Sequence, residues 1–220
     1  MGILDDRMMS LDNTLQIHNE GEWNGTPSTY TAWNSGGVES EVGEFLYGFL
    51  RMTKPEHVLE TGTHLGVGAS YMGMALKDNF RGMLETIEYI PENHVQAKER
   101  ITKMGLNDYV KCYLLDVKDF PVQHNYQFIF LDTEPQTRFA EFVKFYPYLD
   151  EGGYMFIHDL GRSLQQVEIP NLGFAWPFGP IPGEMEHLLI HDYVRPFYFS
   201  TPRGLTGFYK TSKEDYVIKR

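Results

Sequence analysis

The segment Val58-Leu59-Glu60-Thr61-Gly62-Thr63-His64-Leu65-Gly66-Val67-Gly68-Ala69-Ser70 constrains the fold more than any other. A short apolar run closes on an acid, a glycine-rich turn follows, and a helix-like segment begins. Strand, small-residue loop and helix in that order open a βα unit, and glycines let backbone approach a ligand closely. The pattern then repeats. Strands are expected at 57–60, 82–88, 110–115, 127–131 and 153–157, with helices at 70–77, 91–104 and 137–149. Pro91 suits an opening helical turn and Gly105 a helix end. The run Gln127-Phe128-Ile129-Phe130-Leu131 is almost wholly apolar, as a strand covered on both faces should be. Such alternation predicts an α/β fold with a Rossmann-like, doubly wound, mostly parallel sheet.

The flanks are different. Residues 1–37 are polar and turn-rich, with Trp23, Tyr30 and Trp33 interspersed, and read as an arm or cap. Helical spacing of Val42, Phe45, Leu46, Phe49 and Leu50 predicts a helix over 40–52, ended by Lys54-Pro55. Another helix is expected at 184–193. Strands at 195–200 and 205–210 around Pro202-Arg203-Gly204 would form a hairpin, adding an antiparallel strand near one edge. The 220 residues suit one domain: arm 1–37, core 38–160, insert and helix 161–194, hairpin 195–220.

A net charge of −11 argues against a nucleic-acid surface. Nothing approaches the roughly 18 apolar residues that span a bilayer. The first ten residues hold Asp5, Asp6 and Arg7 and no signal core, so a cytoplasmic protein is expected. The single Cys112 excludes internal disulfides and reads as a small core residue. Aromatic residues after Asn171 could line a pocket for a flat substrate, but core packing is the stronger expectation.

Ligands of open parallel sheets bind beyond the carboxyl ends of the strands. Each of the five strands delivers an acid there: Glu60, Glu88, Asp116, Asp132, and Asp159 beside His158. Like charges gathered on one edge repel unless something compensates them. Glu88 offers two acceptor oxygens, as two ribose hydroxyls require. The spacing Gly62-x-x-x-Gly66-x-Gly68 is not the Gly-x-Gly-x-x-Gly of dinucleotide loops. Glu60 would repel a pyrophosphate and suits a ligand carrying an ammonium group.

The stretch Glu60-Thr61-Gly62-Thr63-His64-Leu65-Gly66, Glu88, and Phe130-Leu131-Asp132 with Leu149-Asp150-Glu151-Gly152-Gly153-Tyr154 resemble the class I S-adenosylmethionine (SAM)-dependent methyltransferases. Within them the chain resembles the small-molecule O-methyltransferases of the catechol and caffeoyl-CoA type and the antibiotic-tailoring cephalosporin and macrolide enzymes. The resemblance covers about residues 38–160. It implies a seven-stranded sheet with the last strand antiparallel, and SAM, converted to S-adenosylhomocysteine (SAH), held at Glu60, Gly62, Glu88 and Asp116. Thr63, His64, Gly66, Tyr89, Val117 and Asp132 complete the expected cofactor site. It also implies a small-molecule acceptor, aromatic or natural-product in kind, and a homodimer; charge and hydropathy already point to no nucleic-acid or membrane partner.

In metal-dependent members, acids at the positions of Asp132 and Asp159 bind Mg²⁺ or a similar divalent cation, with His158 a third candidate ligand. Two positions depart from the catechol-type pattern. Leu160 replaces an Asn ligand, and Pro135 stands where a lysine base is placed. Metal-assisted transfer, with Asp132 and His158 as catalytic residues, therefore stays open beside a metal-free N-methyltransferase and a SAM-binding protein without catalysis. His158 is the base candidate, since an unperturbed imidazole suits proton removal near neutrality. Arg138 is expected to pair with the nearby acids. His187 and His191 share a helix-surface spacing. The insert 171–183, rich in Pro, Gly and aromatics, would wall a substrate pocket together with Trp23, Tyr30 and Trp33.

Overall fold

The computed structural model describes residues 4–12, 17–23, 26–33, 37–160, 174–175, 179–199, 201 and 203–212. They divide into two units, Met1–Asp116 and Val117–Arg220. Seven strands make one sheet, mostly parallel and flanked by helices, which bears out the expected α/β class.

The first unit opens with helix α1 (Asp5–Leu11) and an antiparallel hairpin of β1 (Ile17–Trp23) and β2 (Thr26–Trp33). Then come α2 (Ser40–Thr53), β3 (His57–Thr61), α3 (Val67–Asn79), β4 (Met83–Glu88), α4 (Pro91–Lys103) and β5 (Val110–Leu114). β3, β4 and β5 are parallel neighbours, with Thr61 opposite Ile87 and Glu88 opposite Leu114. All residues of α3 from Val67 to Leu76 are buried, so it is a core helix without a solvent face. Small residues make this burial fit. A Cβ on Gly43 of α2 would stand 2.4 Å from the Tyr71 ring on α3. That ring is fully buried, and its hydroxyl accepts a 2.7 Å hydrogen bond from Trp33 Nε1. Trp33 is thus a core residue of this unit. The side chains of Trp23 and Tyr30 lie outside the described residues. Cys112 on β5 is half-buried, and desolvation, followed by the charge of Glu60, pushes its thiol up to about 11. Its thiol therefore stays protonated near neutral pH, although it sits half-buried and not in the core as expected.

The second unit holds β6 (Tyr126–Leu131), α5 (Pro135–Phe145), β7 (Leu149–His158), the short pair β8 (Phe174–Ala175) and β9 (Gly179–Pro180), α6 (Gly183–Ile190), β10 (Val194–Phe199) and β11 (Leu205–Lys210). Its strands lie in the order β10-β11-β7-β6. β6 and β7 are parallel, while β11 runs antiparallel to both β7 and β10. The expected hairpin is therefore present, with β11 inside the sheet and β10 at its edge. β7 begins earlier than expected because Leu149 already pairs with Tyr126, across a register shift at the Gly152-Gly153 corner. α5 begins at Pro135, not Thr137, since a proline is well placed in the first helical turn. Phe156 and Phe197 meet edge to face at 5.5 Å, as do Phe142 and Phe208 at 4.9 Å. Of the hairpin aromatics, Phe208 is fully buried core, while Phe197, Tyr198, Phe199 and Tyr209 are half-buried. Most of the 171–183 insert lies outside the described residues.

Replacing Gly43 by alanine forces a methyl into the fixed Tyr71 ring. Overpacking of this kind costs about 1–3 kcal/mol. A Gly43→Ala variant should show that loss in its urea midpoint; an unchanged midpoint would show that the α2–α3 approach is looser than described.

Candidate functional site

In the first unit, the loop after β3 is shaped by backbone that favours glycine. Gly62 and Gly66 have φ of 80° and 79°, and His64 between them has φ of 48°. Left-handed backbone is costly for a residue such as histidine, so its surroundings must impose it. Three bonds do so. Gly62 N and Thr63 N both donate to Ile87 O, at 3.0 and 3.1 Å, and His64 N donates to Glu88 Oε2 at 2.7 Å. The other oxygen of Glu88 accepts from Ile90 N at 2.8 Å, where α4 begins. One carboxylate thus joins the loop to the helix, and each of its oxygens keeps a second lone pair.

Glu60 lies beneath the same loop and is 1% exposed. Thr86 Oγ1 donates to Glu60 Oε2 at 2.5 Å and lies 2.5 Å from Thr63 Oγ1. Thr86 has one hydroxyl proton and gives it to Glu60, so Thr63 must donate to Thr86. A Cβ on Gly68 would stand 2.5 Å from Glu60 Oε1, so only glycine admits the carboxylate to the first turn of α3. A helix N-terminus stabilises an anion there. From outside, Arg100 Nη1 donates to Leu65 O and Arg100 Nε donates to Asp12 Oδ2 at 2.8 Å. Gly66 suits its φ of 79°, and a Cβ there would also crowd Ala97 on α4 at 3.1 Å.

Within this framework the Nδ1 atoms of His64 and His94 are buried with no hydrogen-bond partner among the described residues. Orphaned buried nitrogens mark places where a ligand or water is to be met. His94 was not singled out in the sequence, where nothing separates it from other polar residues of α4. Burial first, and then Lys98, lower its pKa, against an upward pull from Glu88. The neutral imidazole is therefore favoured. Tyr89 is 53% exposed beside this cluster, and Asp116 closes the unit half-buried after β5. Of the residues expected to hold SAM in this unit, Glu60, Gly62, Thr63, His64, Gly66 and Glu88 belong to or bond this one loop, and the orphaned imidazole nitrogens fit such a ligand.

The second unit carries the remaining expected residues. Val117 opens a short 3-10 turn, Val117–Asp119, and its carbonyl accepts from Lys144 Nζ at 2.6 Å. β7 ends at His158, and Asp159 turns out of the strand with φ of 60°. That turn lets two adjacent side chains converge: His158 Nδ1 is 2.8 Å from Asp132 Oδ1 and 3.7 Å from Asp159 Oδ2. A donor on Nδ1 leaves the basic lone pair on Nε2. His158 is fully buried.

Two guanidiniums complete the cluster. Arg138 on α5 donates through Nη2 to Asp132 Oδ1 at 3.0 Å and through Nη1 to Asp159 Oδ2 at 3.1 Å. It is held by Nε on Thr133 O at 2.7 Å and by Nη1 on His158 O. Arg203, between β10 and β11, donates through Nη2 to Asp159 Oδ2 at 3.2 Å. Its Nε is 2.8 Å from Asp159 Oδ1, near enough for an ion pair though not aligned as a hydrogen bond. Burial of Asp159 acts to raise its pKa, but His158, Arg203 and Arg138 outweigh it and hold the carboxyl near about 2. Arg138 pairs with acids, as expected. Arg203, read only as part of a turn, was missed.

Asp132, His158 and Asp159 bring three ligand atoms within 4.8 Å of one another, the only such group of three among the described residues. As a divalent-cation site it nevertheless fits poorly. Two carboxylates face two guanidiniums, so their charge is already balanced. Leu160 is buried and offers no ligand atom. The rings of His187 and His191 meet at 4.3 Å, but no third ligand residue joins them among the described residues.

Residues 59–160 match the family model described as a methyltransferase domain. Over 128 residues the chain is 27% identical to a protein of Mycobacterium sp. (strain KMS) named "Putative O-methyltransferase", taking in 56% of this chain and 57% of that one. The chain therefore spans a little over half the length of the curated relatives it matches. Its structure is similar to the SAH-bound methyltransferase PaMTH1 of Podospora anserina, with TM-score 0.65, 17% identity, and coverage of 80% of this chain and 81% of that one. It is also similar to the O-methyltransferase TomG of Streptomyces achromogenes, involved in Tomaymycin synthesis and solved with SAM. There the TM-score is 0.60 at 17% identity, covering 81% and 83%. The resemblance to the methyltransferases is borne out in this domain match and in the shared fold. No helix among the described residues is long and apolar enough to cross a membrane.

Because Asp159 titrates lower in the folded chain than the roughly 3.9 of an unfolded aspartate, its ionisation stabilises the fold above about pH 4. That contribution is lost as pH falls toward 2. Asp159→Asn should therefore be less stable than the parent chain at pH 7, with the gap in urea midpoint closing between pH 5 and 2. A gap independent of pH would contradict the ion pairing.

Proposed function

We propose that this chain is a SAM-dependent O-methyltransferase that methylates a hydroxyl of a small molecule and releases SAH. The observation that carries the proposal is the loop of the first unit. It has backbone at positive φ, pinned by Glu88, beside two buried imidazole nitrogens with no hydrogen-bond partner among the described residues. Gly62, Thr63, His64 and Gly66 would cradle the ligand, while Tyr89 and Asp116 would flank its base. The free lone pairs of Glu88 would accept from the two ribose hydroxyls. Glu60, buried under the loop, would act on the ligand's ammonium group through its field, not by open contact.

SAM supplies an electrophilic methyl on a sulfonium, displaced in line with loss of neutral SAH. What the protein must add is alignment and removal of the acceptor's proton. Asp132 would hold His158 through Nδ1, orienting Nε2 to take that proton. The net charge of −11 supports a small-molecule acceptor over a nucleic acid. Complete burial of His158 favours a second reading, a SAM-binding protein without catalysis.

Transfer of labelled methyl from SAM to a panel of phenols and alcohols separates the two. With an active acceptor, His158→Gln should lower kcat by about 10²–10⁴-fold and leave SAM affinity unchanged. Glu88→Ala should instead weaken SAM binding by roughly 10- to 100-fold, the worth of one or two hydrogen bonds to a charged group. SAM binding without transfer to any acceptor would favour the binding protein.

A further inference from the structure

The carboxylate cluster of the second unit is built as a divalent-ion site is built, yet cations of the chain itself hold it. Asp132 Oδ1 is 3.0 Å from Arg138 Nη2 and 2.8 Å from His158 Nδ1. Asp159 Oδ2 is 3.1 Å from Arg138 Nη1, and Asp159 Oδ1 is 2.8 Å from Arg203 Nε. Three carboxylate oxygens of the cluster therefore each touch a guanidinium. Divalent ions such as Mg²⁺ need their oxygen ligands at about 2.0–2.1 Å with near-octahedral freedom around the ion. An ion seated among these oxygens would displace at least one guanidinium or stand against it.

The two arginines differ in how firmly they are held. Arg138 is the more firmly held, with Thr133 O, His158 O, Asp132 and Asp159 all accepting from it, and its side chain is 4% exposed. Arg203 reaches in from the turn between β10 and β11, with a side chain 11% exposed, and meets the cluster through Asp159.

We infer that Arg138 and Arg203 stand in for a divalent ion at Asp132, His158 and Asp159, and that Arg203 is the group that keeps an ion out. The chain would then work without a divalent cation. Arginine serves better than lysine in geometry, because its planar fork spans both oxygens of a carboxylate, but either supplies the excluding charge. This deepens the proposed methyl transfer by removing the metal from it, and rests on that reading only for its catalytic consequence. Exclusion of the ion is independent of the activity.

The test is Mn²⁺ binding to the whole chain, read as loss of the free-ion paramagnetic resonance signal, with no substrate present. The parent chain should show no saturable site up to about 1 mM, the millimolar limit of weak binding. Arg203→Gln should gain one site per chain, at least about tenfold tighter, and Asp132→Asn added to it should abolish that site. Arg203→Lys, which keeps the charge and is less disruptive to folding, should resemble the parent. A saturable site in the parent chain that Asp132→Asn removes would overturn the inference. So would a folded Arg203→Gln chain that still binds no Mn²⁺. If these binding results hold while no methyl transfer is found with any acceptor, the proposed activity fails and the ion exclusion does not.

Discussion

A carboxylate taken out of water must be met by a donor or a cation, and this acidic chain meets that demand from several directions. Asp12 is answered by Arg100, Glu60 by Thr86 and the first turn of α3, and Glu88 by two backbone amides. Asp132 and Asp159 are answered by Arg138, Arg203 and His158. Leaving one such charge unpaired costs about 3–5 kcal/mol, a large part of a domain's net stability. These acids are therefore structural elements before they are functional ones, and the loops around them take the shapes their donors dictate.

That constraint gives the two clusters their different characters. Around Glu88 the donors are backbone N–H groups, which occupy one lone pair on each oxygen and leave the outer pairs for a ligand. The result is a rigid loop with spare acceptor capacity. Around Asp159 the donors are full cations, which cancel the charge instead of leaving it available. The first arrangement suits a neutral polyhydroxylated group such as a ribose. The second suits a histidine held in place and is hostile to a dication.

Local features in the sequence were enough to find the framework. The apolar run into Glu60, the glycines that follow, Pro91 and Gly105 place elements within a few residues of their observed ends; Glu88 closes its strand and Asp116, Asp132 and Asp159 follow theirs, while Glu60 lies one residue inside β3. Convergence of His158 with Asp159 was foreseeable only as a condition, that the chain leave the strand; the left-handed Asp159 satisfies it. What stayed hidden was pairing between distant positions. Nothing in the period of 5–11 or of α4 brings Asp12 to Arg100, and Pro202-Arg203-Gly204 carries a turn signal that says nothing of where the arginine reaches. Trp33 looked like an arm residue because its partner, Tyr71, lies on a helix whose own pattern is apolar all round. Compensation of like charges was legible as a need, while its agents were not.

Calorimetric titration of the whole chain with SAM, SAH and NAD tests the central proposal most directly. SAM and SAH should each bind once per chain with micromolar dissociation constants, about −8 kcal/mol, and NAD should give no binding heat. Tight binding of NAD with none of SAM or SAH would contradict the assignment of the Glu60–Gly68 loop to a methyl donor.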